Sequence, residues 1–214
     1  MNSLRHLDDQ LLLDVNSLAR HTGWLHAPMV AYAGYGVLLF GALLLGGLWV
    51  TRNSSARALA AAGWACLATL VAVALNQPVG HLFTEPRPYT SHPQLLVLAS
   101  RSSDFSFPSD HAVMAGAVTA GLFLVSRRLG WVALVAALLL AFARVYTAAH
   151  YPWDVAGGLV LGAAVTLLGW LLLAVPLTAL TTWLRRAPGL RAVFTGPEQH
   201  GATVASRTQG GQVA

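Results

Sequence analysis

The sequence predicts an all-α, polytopic membrane helical bundle of about five transmembrane helices, preceded by an interfacial helix. Three observations lead there. Only 10% of the 214 residues are charged and 56% are hydrophobic, whereas a soluble domain carries about 25% charged residues. Uncharged apolar runs recur at lengths near the roughly 20 residues that cross a bilayer core. The 13 basic residues, all arginine, fall mostly between those runs, where orientation signals belong. The net charge of +5 is therefore assigned to membrane topology and not to nucleic acid.

Leu7–Ala19 alternates Leu with Asp and Asn at helical spacing, which predicts a helix lying in the interface. Spans are then predicted over 27–50, 58–80, 110–126, 130–149 and 154–184, with Pro176 ending or bending the last. The chain divides into an interfacial segment (1–26), a transmembrane domain (27–184) and a polar, disordered cytoplasmic tail (185–214). Small residues at four-residue spacing, Ala112/Gly116/Ala120 and Gly158/Gly162, would let the third and fifth spans approach closely. The lone Cys66 excludes a disulfide framework. Asp8, Asp9 and Asp14 break any signal-peptide core in the first 20 residues.

Hairpin geometry places the polar residues. His111 to Arg127 descends roughly 24 Å at helical rise, and Gly130 to Arg144 returns roughly 21 Å. His111 and Arg144 therefore share a depth, and Arg87, His150 and Asp154 follow span ends on the same side. Up to residue 191, seven arginines (52, 57, 127, 128, 185, 186 and 191) lie on the opposite side, against Arg5, Arg20 and Arg101 on this one. That imbalance predicts a cytoplasmic C-terminus and an outward-facing polar cluster.

The cluster has the parts for phosphoryl chemistry. An arginine, an imidazole and a carboxylate beside a membrane-grade apolar run are costly unless they pair or line a site. Ser109 stands where a helix N-cap belongs, and the first-turn amides of that helix make an anion site. His111 can donate a proton to a leaving oxygen. Arg87, on a proline-stiffened loop, and Arg144 supply planar forks for phosphate oxygens. Asp154, four residues after His150, can fix the tautomer of that ring and raise the nucleophilicity of its other nitrogen. Asp110 is read as a first-turn dipole partner, and His6, His21, His26, His92 and His200 as surface residues. The His/Asp/Glu spacing matches no usual metal-ligand set, so no metal or other cofactor is expected.

Three ordered blocks, Arg87-Pro88, Pro108-Ser-Asp-His111 and Arg144-x5-His150-x3-Asp154, resemble the signatures of the type 2 phosphatidic acid phosphatase superfamily. The resemblance spans about residues 76–158, and the Phe-Pro-Ser-Asp-His-Ala wording is similar to the bacterial undecaprenyl-diphosphate phosphatase branch. It implies a multi-pass bacterial plasma-membrane enzyme that hydrolyses undecaprenyl diphosphate to undecaprenyl phosphate and phosphate, without metal, through a phosphohistidine on His150. Asp154 would hold the His150 ring, His111 would transfer protons, and Arg87, Arg144 and Ser109 would bind phosphate. Hydrolysis of phosphatidic acid, phosphatidylglycerol phosphate or a prenyl-phosphate sugar is the alternative, and a lipid-phosphate binder or transporter is a further one. One position departs from the pattern. The lysine that usually stands seven residues before the first-block arginine is Gly80 here. His81 or Asn76 are the candidates to contact phosphate in its place.

Overall fold

The computed structural model describes residues 2–186, and every element in it is helical. Helix α1 (Asn2–His21) is followed by a 3-10 turn, Gly23–Leu25, and by α2 (His26–Thr51), α3 (Ala56–Phe83) and the single turn α4 (Pro88–Ser91). Then come α5 (Asp110–Val125), α6 (Arg127–Tyr146) and α7 (Pro152–Arg186). The tail expected over 185–214 lies outside the described residues except for Arg185 and Arg186, which end α7.

Four helical stretches are long and apolar enough to cross a membrane: Gly23–Thr51, Ala56–Ser91, Arg127–Tyr146 and Pro152–Arg186. The third of the five predicted spans is the shorter α5, of 16 residues. It packs against α2, α3, α6 and α7, and ten of its residues between Ala112 and Leu122 are buried. A helix enclosed by protein need not match the bilayer's thickness. The outer surface is apolar, with Val160 69%, Leu171 77% and Leu172 79% exposed. Such a surface is stable only against lipid tails.

The small residues at four-residue spacing do bring α5 onto α7. A methyl at Gly116 would collide with the Leu159 backbone, and one at Gly162 with the Val113 carbonyl. Backbone contact at this range requires glycine at both positions. Between α3 and α7 the Trp64 indole donates to the Thr166 carbonyl at 2.9 Å. At the far end Arg185 bonds the Ser54 and Arg52 carbonyls at 2.5 and 3.1 Å.

Two boundaries differ from expectation. Helix α3 runs through Pro78 to Phe83, and α7 runs through Pro176 to Arg186, so Pro176 does not end that span. Proline removes one ladder donor, and both helices continue past it with that single bond missing. The N-terminal helix also exceeds the predicted Leu7–Ala19. It lies across the end of the bundle that carries the polar cluster, burying Leu12, Asn16 and Ala19 while Leu4, Leu7, Leu11 and Leu18 stay exposed.

Candidate active site

Helix ends converge on a cavity of roughly 470 Å³ at one end of the bundle. Asn76, Gly80 and His81 reach it from α3, Arg87 from the following loop, and Asp110 and His111 from the first turn of α5. Arg144 enters from the last turn of α6, and His150 from the connection to α7. The depth predicted from hairpin geometry for His111 and Arg144 is therefore the depth at which they meet.

His150 is buried, 2% exposed, and both its ring nitrogens are engaged. Nδ1 lies 2.9 Å from the Ser106 carbonyl, and Nε2 accepts from Arg87 Nη1 at 3.0 Å. A carbonyl can only accept, so Nδ1 carries the proton and the Nε2 lone pair faces the cavity. Burial, together with the positive charges of Arg144 and Arg87, holds the imidazole well below its ordinary pKa. The ring is therefore neutral at physiological pH, as a nucleophile must be.

Asp154 is fully buried behind this ring. Its Oδ2 lies 3.4 Å from His150 Nδ1 and accepts from Ser106 Oγ at 2.5 Å and from the Tyr151 amide at 2.8 Å. The expected carboxylate–imidazole contact is present but long, because the Nδ1 proton points to the Ser106 carbonyl. Ser106 joins the two residues: its carbonyl holds the ring and its hydroxyl holds the carboxylate. Ser106 lies outside the three sequence blocks, and sequence reasoning assigns it no role. Its only signal there was proximity to Pro108-Ser-Asp-His111.

Arg87 is fixed by Nε to the Asp104 carbonyl and by Nη1 to the Ala149 carbonyl, both at 3.1 Å. Arg144 Nη1 reaches the Ala33 carbonyl of α2 at 3.4 Å, a partner that the sequence did not suggest. Its Nε is buried with no protein partner. The loop between Arg144 and His150 includes Ala148 at φ 57°, a left-handed conformation that is costly for any side chain.

Ser109 occupies the N-cap position of α5, but its hydroxyl makes no cap bond and is buried without a partner. Its amide donates to the Asp154 carbonyl at 3.2 Å, which ties the starts of α5 and α7 together. Ser109 and Asp154 stand behind the cavity lining and do not form part of it. Asn76 does line the cavity, yet its amide group donates to the Pro108 carbonyl at 3.0 Å and to Asp110 Oδ1 at 2.6 Å. Those bonds clasp the start of α5 to α3 and use both Asn76 donors. Asp110 thus has a side-chain partner besides its place in the first turn. His81 lines the cavity edge-on to Phe105, with ring centres 5.4 Å apart. A methyl at Gly80 would meet only the Phe107 carbonyl, at 3.4 Å, so the backbone leaves room for a Cβ where the usual lysine is missing. His92, read as a surface residue, pairs with Asp9 of α1 at 3.0 Å.

Among the described residues no three His, Cys, Asp or Glu side chains gather in a way that could hold a metal ion. The arrangement offers a neutral imidazole nitrogen facing two guanidinium groups, a second imidazole at a helix N-terminus, and that helix's free amides. Such a set suits an oxyanion.

Comparison with known proteins agrees with this chemistry. The family model described as PAP2 superfamily matches residues 61–176. Undecaprenyl-diphosphatase BcrC of Bacillus subtilis is 33% identical over 68% of this chain and 74% of its own length. A bacitracin transport permease protein BcrC of Bacillus licheniformis is 32% identical over 69% of this chain and 71% of its own. The crystal structure of a transmembrane PAP2 type phosphatidylglycerolphosphate phosphatase from Bacillus subtilis superposes with a TM-score of 0.58. It covers 87% of this chain and 90% of that one at 20% identity, which shows a shared fold.

Proposed function

The chain belongs to the PAP2 superfamily, as a membrane lipid phosphatase with a histidine–aspartate pair, and on that premise we propose that it hydrolyses a polyprenyl diphosphate. The substrate proposed is undecaprenyl diphosphate, cleaved to undecaprenyl phosphate and inorganic phosphate. One observation carries the reading: His150 Nε2 faces the Arg87 guanidinium inside a cavity that also holds His111 and Arg144. The 33% identity to an undecaprenyl-diphosphatase of Bacillus subtilis supports a diphosphate on a polyprenol.

In the first step Arg87 turns its Nη1 from Nε2 to the substrate's phosphate oxygens, and the freed Nε2 lone pair of His150 attacks the terminal phosphorus. The bond to the bridging oxygen breaks, and His111 gives that oxygen its proton. Arg87, Arg144 and the first-turn amides of α5, all at the cavity, balance charge on the equatorial oxygens. As the ring becomes cationic, its Nδ1 proton strengthens its bond to the Ser106 carbonyl beside the Asp154 carboxylate. In the second step His111 takes a proton from water, which attacks phosphorus and releases phosphate from Nε2. No metal is needed in either step. Two arginines, the helix amides and His81 at the cavity edge replace the missing lysine. The lipid tail reaches the cavity laterally between helices, from the extracytoplasmic leaflet of a bacterial plasma membrane.

Phosphate release by purified protein in EDTA, across undecaprenyl diphosphate, phosphatidic acid, phosphatidylglycerol phosphate and a prenyl-phosphate sugar, tests this. The expected order puts the polyprenyl diphosphate first. Equal or faster release from a glycerolipid phosphate overturns the substrate, and release only after magnesium is added overturns the mechanism.

A further inference from the structure

The start of α7 carries Asp154 in its first turn, so the way in which that turn is capped bears on the catalytic pair. Tyr151 stands at the N-cap position, and its side chain has no acceptor placed like those of Ser, Thr, Asp or Asn. Asp154 reaches back to the Tyr151 amide at 2.8 Å, which is one half of a reciprocal cap. The other half needs an acceptor for a first-turn amide. Pro152 has no N–H to satisfy. The Trp153 N–H donates to Asp8 Oδ1 at 2.9 Å, from a helix 145 residues away in sequence. A carboxylate there also meets the positive end of the α7 dipole.

Asp8 is held in place by its own helix. Asn16 bonds both the carbonyl and the amide of Leu96, at 2.8 and 3.0 Å, and Arg20 bonds the Gln94 carbonyl at 2.5 Å. Asp9 pairs with His92 at 3.0 Å, and Leu12 is buried against Val145, Ala148 and Tyr151. The loop that α1 grips in turn donates two amides, from Leu98 and Ala99, to the Thr147 carbonyl beside His150. Helix α1 lies outside the residues matched by the family model.

We propose that Asp8 is a positioning residue for phosphoryl transfer: it caps α7 from outside and thereby fixes the turn that sets Asp154 behind the His150 ring and holds Ser106 against both. This rests on the phosphatase reading above. Asp8 faces Arg5, Asp9, Glu85, His92 and Tyr151 around a cavity of roughly 510 Å³, with Asp154 on the far side of the turn. Burial, partly opposed by the Trp153 amide, pushes its carboxyl up to about 6, and the Asp154 and Asp9 charges push the same way. Protonation removes the charge that favours the helix dipole, so the cap weakens as pH falls through that value.

The test compares wild type, Asp8→Ala and Asp8→Asn by steady-state kinetics and by amide exchange of the 151–156 segment. In Asp8→Ala, kcat falls about tenfold with KM within about twofold, because the interaction lost acts on the reacting geometry. Exchange of the segment accelerates in the same variant. Asn keeps an acceptor oxygen but carries no charge, as protonated Asp8 does, so Asp8→Asn shows already at neutral pH the part of the kcat loss that wild type reaches below about 6, and lacks the decline centred there. Wild-type kcat in Asp8→Ala overturns the proposal, whether or not exchange accelerates. An Asp8→Asn profile that keeps the wild-type decline near 6 also overturns it. A wild type that hydrolyses no lipid phosphate sinks the phosphatase reading, and the positioning role with it.

Discussion

His150 has one nitrogen tied to protein and one turned to an arginine, and each feature gives a prediction. Replacing it by Ala should cut turnover about 10⁴-fold or more, as loss of a nucleophile does elsewhere. Because burial and two arginines keep the ring neutral, phosphoenzyme formation should not lose its nucleophile to protonation on mild acidification. Ser106→Ala should lower kcat about tenfold, since the buried Asp154 carboxylate loses a hydrogen bond worth about 1–3 kcal/mol. Arg144→Lys should cost about 10²-fold in kcat/KM, because an ammonium cannot reproduce the planar fork. Gly80→Lys should lower KM, as the backbone there leaves room for a Cβ. Arg87, His111, Arg144, His150 and Asp154 were legible in the sequence because charge beside an apolar run is too costly to be idle. Ser106 was not, since its role is played largely by a backbone carbonyl, which no residue type announces.

The helices place these residues, and the packing of α5 on α7 sets the distance between His111 and the His150–Asp154 pair. Gly162→Ala puts a methyl against the Val113 carbonyl, and the two helices must move apart. The expected cost is about 1–3 kcal/mol, seen as a lower unfolding midpoint in detergent, with a loss of kcat alongside it. An unchanged midpoint would show that the interface is looser than its geometry. The four-residue spacing of small residues made this contact readable from the chain. The continuation of α7 past Pro176 was not readable, because proline's effect depends on what packs around it. Nor was the capping of α7 by Asp8, which joins residues 145 positions apart with no periodicity to signal it.

At the scale of the whole molecule, the arginine imbalance predicts that the cavity opens outward and the C-terminus faces the cytoplasm. In a Cys66→Ser background, Ser91→Cys should react with an impermeant thiol reagent on intact cells, and Gly201→Cys, beyond the described residues, should not. The reverse pattern would invert the topology. An outward-facing site would place the substrate's headgroup in the outer leaflet, and the proposed mechanism passes through one covalent intermediate. That intermediate can be caught. Terminally labelled undecaprenyl diphosphate, mixed with the His111→Ala variant in EDTA and quenched within the first turnover, should leave acid-labile phosphate on His150. The double variant lacking His150 should carry none. Label on any other residue, or label that forms only when magnesium is added, would contradict the account.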